Sequence, residues 1–241
     1  MKSFPLPLAV KPLLLALLLL FSPLGPVACA SQATAPELGC GHGGVPCLKG
    51  KAVVELKTSK GDVQLNLDGD AAPLTAGNFV DLVRRGVYNG TMFHRVVREP
   101  IPFVVQGGDP QSADPSVTVD RLGGGDYIDP TTAQPRQIPL ELFLNDEASP
   151  RYGQLAAGPS QLARLKLPHD RGSLAMARTE QPNSASAQFY IALRPLPELD
   201  GRYAVFGKVS RGMEVVDRIQ PGDRIISARI VEGGTLVQEK P

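Results

Sequence analysis

The chain has 241 residues, of which 42% are hydrophobic and 20% are charged, and its formal net charge is +1. This composition is typical of a globular protein, with one folded domain as the expected count. A nearly neutral chain lacks the clustered Lys and Arg that bind phosphates, and Trp is absent, so nucleic acid is excluded as the main partner.

The first thirty residues have the pattern of a secretory signal peptide. Two lysines accompany an apolar run at 13–21, and the small residues at 28–30 suit a cleavage site. A retained transmembrane anchor is the alternative, but the run is shorter than the roughly 20 residues that a spanning helix needs. Residues 1–30 are therefore assigned as a signal peptide.

Cys29 leaves the form of the mature N-terminus open. The sequence Val-Ala-Cys at 27–29 resembles the end of a bacterial lipoprotein signal, in which the cysteine is lipid-modified and becomes the first mature residue. Pro26 stands where that pattern prefers Leu. Both interpretations predict export to a periplasm or an organelle lumen, and lipidation of Cys29 would add a membrane anchor.

Residues 31–51 are rich in Gly, Pro and Ala and show no periodicity, which predicts a flexible linker. Cys40 and Cys47 lie within this segment. Two such cysteines in an exported protein are expected to form a disulfide across a small loop. Zinc binding by these cysteines and His42 is the weaker alternative, because a structural zinc site needs a fourth ligand. No metal is expected.

Residues 52–235 have the pattern of a mainly β domain, followed by a short tail at 236–241. Alternating apolar residues around a turn at 58–62 predict a β-hairpin. Apolar residues spaced i, i+3 and i+4 predict a helix between Pro73 and Gly86, and a second short helix is predicted at 213–219. Further strands are predicted in the segments 93–109, 172–178, 188–193, 204–209 and 229–231. Many short strands without alternating helices predict a closed β-barrel or a sandwich with helices packed outside.

Residues 110–172 are rich in Pro and Gly and carry only weak signals for regular structure. A strand or turn is indicated at 138–144, and a short helix at 155–167. We expect an expanded loop, and connections of this length are often functional.

The stretch 93–109 is the most informative about function. Arg95 and Gln106 stand there among valines, although such polar groups are seldom buried without a partner. The pattern indicates either a satisfied polar pair in a core or the wall of a binding groove. His94 could serve as a general base, but a single His among valines is more often a hydrogen-bonded structural residue.

Five blocks of the sequence resemble the cyclophilin family, and they occur in the family's order between about residues 52 and 232. The blocks are 93–97, 103–109, 172–177, 183–191 and 199–209. The resemblance implies a closed eight-stranded antiparallel β-barrel capped by two α-helices, with peptidyl-prolyl cis-trans isomerase activity. It also implies a monomer that needs no cofactor and whose partners are proline-containing segments of client proteins.

The resemblance carries roles to individual positions. Arg95 matches the family's catalytic arginine, and Gln106 matches the glutamine that holds this arginine and the substrate carbonyl. The positions that match substrate-binding residues are Phe103, Val104, Met176, Ala177, Arg178, Gln188, Tyr190, Leu199 and Tyr203.

Four departures from the family pattern are visible. Tyr190 stands where Phe is usual, and Glu198 stands where members that bind cyclosporin tightly carry an aromatic residue. The link at 98–102 and the segment 110–172 are longer than usual. Retention of Arg95, Phe103 and Gln106 favours an active isomerase that assists folding of exported proteins. The expanded segment 110–172 and Glu198 leave open a module that holds proline-containing segments, or a membrane complex, without turnover.

Overall fold

The computed structural model describes residues 39–40 and 44–238. The predicted signal peptide, Cys29 and His42 lie outside the described residues. Across the described ranges, no helix is long and apolar enough to cross a membrane.

Strands outnumber helices in this part of the chain. The strands are β1 (Cys47–Leu48), β2 (Lys51–Thr58), β3 (Gly61–Asp68), β4 (Phe93–Val96), β5 (Val104–Gly107), β6 (Ile128–Asp129), β7 (Gln134–Pro135), β8 (Glu141–Leu142), β9 (Arg151–Tyr152), β10 (Ser173–Met176), β11 (Phe189–Ala192), β12 (Val205–Arg211), β13 (Ile225–Gly233) and β14 (Leu236–Val237). The helices are α1 (Pro73–Arg84), α2 (Pro159–Leu162) and α3 (Met213–Val216).

Eight strands form one antiparallel sheet in the order β13-β2-β3-β12-β10-β11-β5-β4. The hairpin β2–β3 turns between Thr58 and Gly61, as the alternating pattern predicts. The two edges of the sheet meet at an isolated bridge between Met92 and Arg224, so the sheet curls on itself. The mainly β class is confirmed, whereas the continuous ladder does not reach the closed barrel that the resemblance implies. Backbone hydrogen bonds flank the bridge: the N–H of Ile225 donates to the carbonyl of Thr91 at 2.7 Å, and the N–H of Phe93 donates to the carbonyl of Asp223 at 2.8 Å. The contact between the edges is thus limited to a few residues at the starts of β4 and β13.

The main core lies between this sheet and α1. The ring of Phe79 on α1 lies 4.8 Å from that of Tyr88, 5.4 Å from Phe189 and 5.2 Å from Phe206, measured between centroids. Aromatic rings at these separations bury large apolar areas and fix one another's orientation. The predicted first helix is confirmed, and its apolar stripe supplies one wall of the core.

The second predicted helix forms only the single turn α3. Pro221 follows shortly afterwards, and a proline disfavours helical conformation in the residue before it. Val216 and Ile219 are nevertheless buried in the main core, so the apolar spacing in this segment reflects packing rather than helix length.

The expanded segment 110–172 is more regular than its composition suggests. It contains two small hairpins, β6–β7 and β8–β9, and the helix α2. The weak signals at 138–144 and 155–167 correspond to β8 and α2.

Two buried polar residues fasten this segment to α1. Glu141, 2% exposed, accepts the backbone N–H groups of Leu74 and Thr75 at 3.0 and 2.7 Å. It thereby caps a helix that has no side-chain cap of its own and satisfies two of its free N–H donors. Arg136 forms an ion pair with Asp81 of α1 at 2.6 Å. The expansion therefore supports the helix that covers the core.

The start and the end of the described chain meet beside α1. Strand β1 pairs with β14, Val45 and Leu48 are buried, and a disulfide joins Cys40 to Cys47. Part of the predicted linker (31–51) and of the predicted tail (236–241) is thus built into the fold. The sequence pattern misses this because a pair of two-residue strands shows no periodicity.

Candidate active site

Arg95 and Gln106 lie opposite each other on neighbouring strands, β4 and β5. The Nη1 atom of Arg95 donates a hydrogen bond to Oε1 of Gln106 at 3.3 Å. Arg95 is exposed and Gln106 is half-buried. A permanently charged guanidinium is therefore held at the surface by a neutral side chain. Its remaining donors make no hydrogen bond to any residue of the described ranges.

Gln106 is itself fixed by a second glutamine. Its Nε2 atom donates to Oε1 of Gln188 at 3.1 Å, and Nε2 of Gln188 donates to the carbonyl of Gly125 at 3.0 Å. Each amide uses both its donor and its acceptor, which settles its orientation. The relay orients Oε1 of Gln106 toward Arg95.

The glycine-rich turn that ends this relay wraps around a buried carboxylate. Asp109, which is fully buried, accepts the backbone N–H groups of Gln111, Gly123 and Gly125 at 2.9, 2.7 and 3.1 Å. A Cβ atom on Gly125 would lie 2.0 Å from Oδ1 of Asp109, so only glycine fits there. Asp109 thus positions the carbonyl that receives Gln188.

An apolar cluster separate from the main core lies on the outer face of the sheet, beside Arg95. Side chains alternate between the two faces of a strand, so Val104 and Tyr190 join this outer cluster while their neighbours Val105 and Phe189 join the main core. Its other predicted members are the half-buried Phe103, Ala177, Leu199 and Tyr203. We call this group the outer pocket. The guanidinium carbon of Arg95 lies 6.0 Å from the ring centroid of Phe103, so a cation stands beside the apolar cluster.

Arg178 and Tyr203 form one rim of the outer pocket. The guanidinium carbon of Arg178 lies 4.8 Å from the ring centroid of Tyr203, and Arg178 donates to the carbonyl of Arg202 at 2.9 Å. Tyr203 meets Tyr190 edge to face at 5.8 Å. Stacking on an aromatic face holds the Arg178 side chain in place.

Two predicted substrate-binding residues lie outside the outer pocket: Gln188 belongs to the glutamine relay, and the other is Met176. It is 1% exposed and belongs to the main core. Ala175, one residue earlier, belongs to the outer cluster, and alternation along β10 then turns Met176 inward. Its role is to pack the core beneath the site.

Two residues beneath the pocket were not singled out as site residues in the sequence. Nε2 of His169 lies 2.8 Å from the hydroxyl oxygen of Tyr190, and its Nδ1 lies 2.8 Å from Oδ1 of Asp200. Burial lowers the pKa of His169, although Asp200 opposes this effect. Burial, with the nearby Tyr203, raises the pKa of Tyr190 well above its usual value. The available signal was a tyrosine in an apolar cluster, since a buried hydroxyl needs a partner.

His94, the candidate general base, makes no hydrogen bond from either ring nitrogen to any residue in the described part of the chain. It is 9% exposed, and burial lowers its pKa. Met92 and Gln188 lie close enough to the ring to oppose this lowering of the pKa, so the hydrogen bonds expected of a structural histidine stay a prediction. The side chain of His94 lies behind the site, against Gly123.

A cavity of about 160 Å³ lies beside Gln106, and Ala177 lines both this cavity and the outer pocket. Its lining includes Gly124, Asp126, Arg178 and Gln188, so it shares the glutamine relay with the Arg95 site. Among residues 39–40 and 44–238, no group of three or more His, Cys, Asp or Glu could hold a metal ion.

Fold and site together define a class of protein. It is an antiparallel β domain that presents a fixed arginine and a glutamine beside an apolar cluster on the outer face of the sheet. Comparison with known families agrees with this description. The model of the cyclophilin type peptidyl-prolyl cis-trans isomerases matches residues 53–237, and the chain belongs to this family.

Individual relatives extend the comparison. The chain is 40% identical over 199 residues to a protein of Synechocystis sp. that carries the name of a thylakoid lumen peptidyl-prolyl cis-trans isomerase, covering 78% of this chain and 49% of that one. It is 37% identical over 207 residues to a chloroplastic peptidyl-prolyl cis-trans isomerase of Arabidopsis thaliana, covering 78% and 44%. The chain thus spans about half the length of these curated relatives.

A solved structure shares the fold. The crystal structure of a cyclophilin type isomerase of Cryptosporidium parvum, determined in the presence of the dipeptide Ala-Pro, has a TM-score of 0.55 at 26% identity. The alignment covers 75% of this chain and 99% of that chain.

Proposed function

We propose that this protein is a peptidyl-prolyl cis-trans isomerase that rotates X–Pro bonds in client proteins. The observation that carries the proposal is the exposed guanidinium of Arg95, held by Gln106 at 3.3 Å at the edge of the outer pocket. Family membership over residues 53–237 and the Ala-Pro dipeptide named with the related structure support it.

The chemistry needs a binding site for a twisted amide rather than a nucleophile. Rotation about a peptide bond is opposed by a barrier of about 18–20 kcal/mol, because nitrogen shares its lone pair with the carbonyl. Twisting localises that lone pair on the prolyl nitrogen. In the proposed mechanism Arg95 donates to this nitrogen, so the charge stabilises the twisted state more than either planar state.

The remaining site residues hold the two ends of the bond. The proline ring would sit in the outer pocket between Phe103, Tyr190 and Leu199, where burial of its apolar surface anchors one end. Gln106 would hold the carbonyl of the residue before proline and keep Arg95 aligned. Ala177 and Arg178 would line the path of the preceding residues.

The test is an isomerisation assay on a short Ala-Pro peptide with the purified domain, using exchange NMR so that no coupled protease is needed. Uncatalysed exchange takes tens of seconds or more, so catalysis is visible as cross-peaks on the sub-second timescale. Catalysed exchange supports the proposal. Binding of the peptide without faster exchange would overturn it in favour of a binding module without turnover.

We also propose that the protein is exported and assists folding in a periplasm or lumen. The pattern at 1–30, the pair Cys40–Cys47 and the lumenal and chloroplastic names of two relatives support this location. Mass spectrometry of the mature protein is expected to find either Ser31 or a lipid-modified Cys29 at the N-terminus. An intact Met1 would contradict both forms.

Two structural expectations belong to the same proposal. We propose that the bridge between Met92 and Arg224 closes the sheet into a barrel in solution, and that the protein is a monomer. The amide of Phe93, which donates to Asp223 at 2.8 Å, should then be protected from hydrogen exchange. Rapid exchange at Phe93 would contradict closure, and a dimer mass in light scattering would contradict the monomer.

A further inference from the structure

The outer pocket rests on a polar support that an apolar pocket does not require. His169 is 2% exposed and lies in the loop between α2 and β10. Its ring stacks on that of Tyr190, with centroids 6.0 Å apart and an angle of 9° between the planes. The same imidazole touches a carboxylate on one side and a phenol on the other.

The carboxylate of Asp200 determines which nitrogen of His169 carries the proton and in which direction the hydroxyl of Tyr190 donates. An ionised carboxylate only accepts hydrogen bonds, so Nδ1 of His169 carries the proton and donates to Asp200 at 2.8 Å. Nε2 of the neutral ring then accepts from the hydroxyl of Tyr190 at 2.8 Å. Asp200 also accepts the backbone N–H of His169 at 2.8 Å, which fixes the loop that carries the ring.

These contacts join the separate segments that form the pocket walls. Tyr190 comes from β11, in the middle of the sheet. Leu199 immediately precedes Asp200, on a turn at the surface whose wall residues are only half-buried. Within the described chain, His169 is the side chain that links that turn to Tyr190 through hydrogen bonds on both of its ring nitrogens.

We propose that His169 is a positioning residue that holds the Tyr190 wall and the Leu199 wall of the proline pocket at a fixed separation. The inference rests on the proposed function. It holds that the shape of the substrate-binding pocket depends on a residue that does not itself touch the substrate. A pocket held open in advance binds a ring without the cost of ordering its own walls. The departure from Phe to Tyr at position 190 supplies the hydroxyl that this support needs.

The proposal predicts which kinetic constant changes. The walls contact the proline ring in the planar and twisted states alike, so loosening them weakens both equally and raises KM. The turnover number kcat depends on Arg95, which the support does not touch, and should stay within about twofold. A general loss of folded protein would instead lower the apparent kcat at unchanged KM.

The experiment compares His169→Leu with His169→Gln. We expect His169→Leu to raise KM about tenfold, which corresponds to about 1.4 kcal/mol. His169→Gln should stay within about threefold of wild type, because its amide can donate to Asp200 and accept from Tyr190. Tyr190→Phe should raise KM by itself but add nothing to His169→Leu, since contacting groups are not additive.

Tyr88→Phe is the matched control. The hydroxyl of Tyr88 is buried in the main core and donates to the carbonyl of Ala187 at 2.9 Å. The variant therefore loses a buried hydrogen bond of the main core and none of the outer pocket. Its KM should equal that of wild type. A folded His169→Leu variant with unchanged KM, or a His169→Gln variant no better than Leu, overturns the proposal. If His169→Leu does not fold, the KM values of Tyr190→Phe and His169→Gln are compared instead. A KM for Tyr190→Phe no higher than that for His169→Gln then overturns the proposal.

Affinity separates this inference from the proposed function. The dissociation constant of an Ala-Pro peptide, measured by NMR titration, should follow the same order as KM in the variants of His169 and Tyr190. A wild type that binds the peptide but does not catalyse would refute the isomerase proposal and leave the order of affinities as the test of positioning. Equal affinities in wild type and a folded His169→Leu variant would refute positioning alone.

Discussion

Replacing Arg95 by alanine is the most direct perturbation of the proposed chemistry. Arg95 is exposed on β4, and its one hydrogen bond to a protein side chain in the described residues is to Gln106 at 3.3 Å. Its removal leaves no buried group without a partner, so Arg95→Ala is expected to fold with nearly wild-type stability. Any loss of activity then reports on the reaction itself.

The magnitude follows from the position of the charge. A full charge pair 4 Å apart near a protein surface interacts by about 4 kcal/mol, and a localised lone pair carries only a fraction of a charge. An interaction of about 2–3 kcal/mol with the twisted state corresponds to a roughly 30- to 160-fold loss. The loss should appear in kcat and in kcat/KM alike, because Arg95 acts mainly in the transition state.

The assay is exchange NMR on an Ala-Pro peptide, with thermal unfolding measured on the same samples. Arg229→Ala is the control, because Arg229 is also an exposed arginine on an edge strand, paired with Glu55 at 2.8 Å and remote from the outer pocket. It should retain full activity. A folded Arg95→Ala variant within threefold of wild type would refute electrostatic stabilisation by this residue.

The remaining predictions concern inhibition, stability and redox state. Glu198, exposed and paired with Arg194 at 2.5 Å, offers no apolar contact, so Glu198→Trp should tighten cyclosporin inhibition by about 1–2 kcal/mol, or about tenfold; equal inhibition of both proteins would contradict this. Glu141→Gln should lower the urea unfolding free energy by about 1–3 kcal/mol, because one of two buried N–H groups loses its acceptor; an unchanged midpoint would be contrary evidence. Because burial lowers the pKa of His169 below its ordinary 6.5, the unfolded chain binds a proton that the folded chain resists. Wild type should therefore lose stability relative to His169→Gln as pH falls below about 6.5, and a flat difference between pH 7 and 5 would rule this out. A thiol count should find Cys40 and Cys47 blocked, whereas two free thiols would exclude the disulfide.

Local periodicity in the sequence was sufficient to predict the strands and helices that have one face in the core and the other in solvent. The hairpin β2–β3 and the helix α1 each bury one face, and a buried face leaves a repeat of 2 or 3.6 residues in the sequence. The proximity of Arg95 and Gln106 could also be predicted from the sequence, because the two residues lie in strands joined by a short link. Family resemblance added the wall residues, which come from segments far apart in the chain.

The same alternation explains why Met176 lies in the main core rather than in the outer pocket. A match to a sequence motif assigns the same role to neighbouring residues. In a strand, however, neighbouring side chains point to opposite faces of the sheet. Ala175 and Ala177 are small, so the sequence around Met176 gives no polar or apolar contrast from which to assign its face. The pairing of Ala175 with Tyr190 across β10 and β11 supplies that information, and it exists only in the folded sheet.

The buried polar residues were out of reach for a different reason. Glu141 meets the start of α1 across 67 positions, and His169 meets Asp200 across 31, so no local pattern connects them. Each is a polar group inside the fold that is stable only because a distant segment supplies its partner. For His169 the sequence did contain one indication, the tyrosine at position 190 in an apolar wall, because a buried hydroxyl requires an acceptor nearby. A departure from a family pattern that adds a polar atom to a buried position is therefore evidence for a second, unseen substitution or contact, and at Tyr190 that contact is His169.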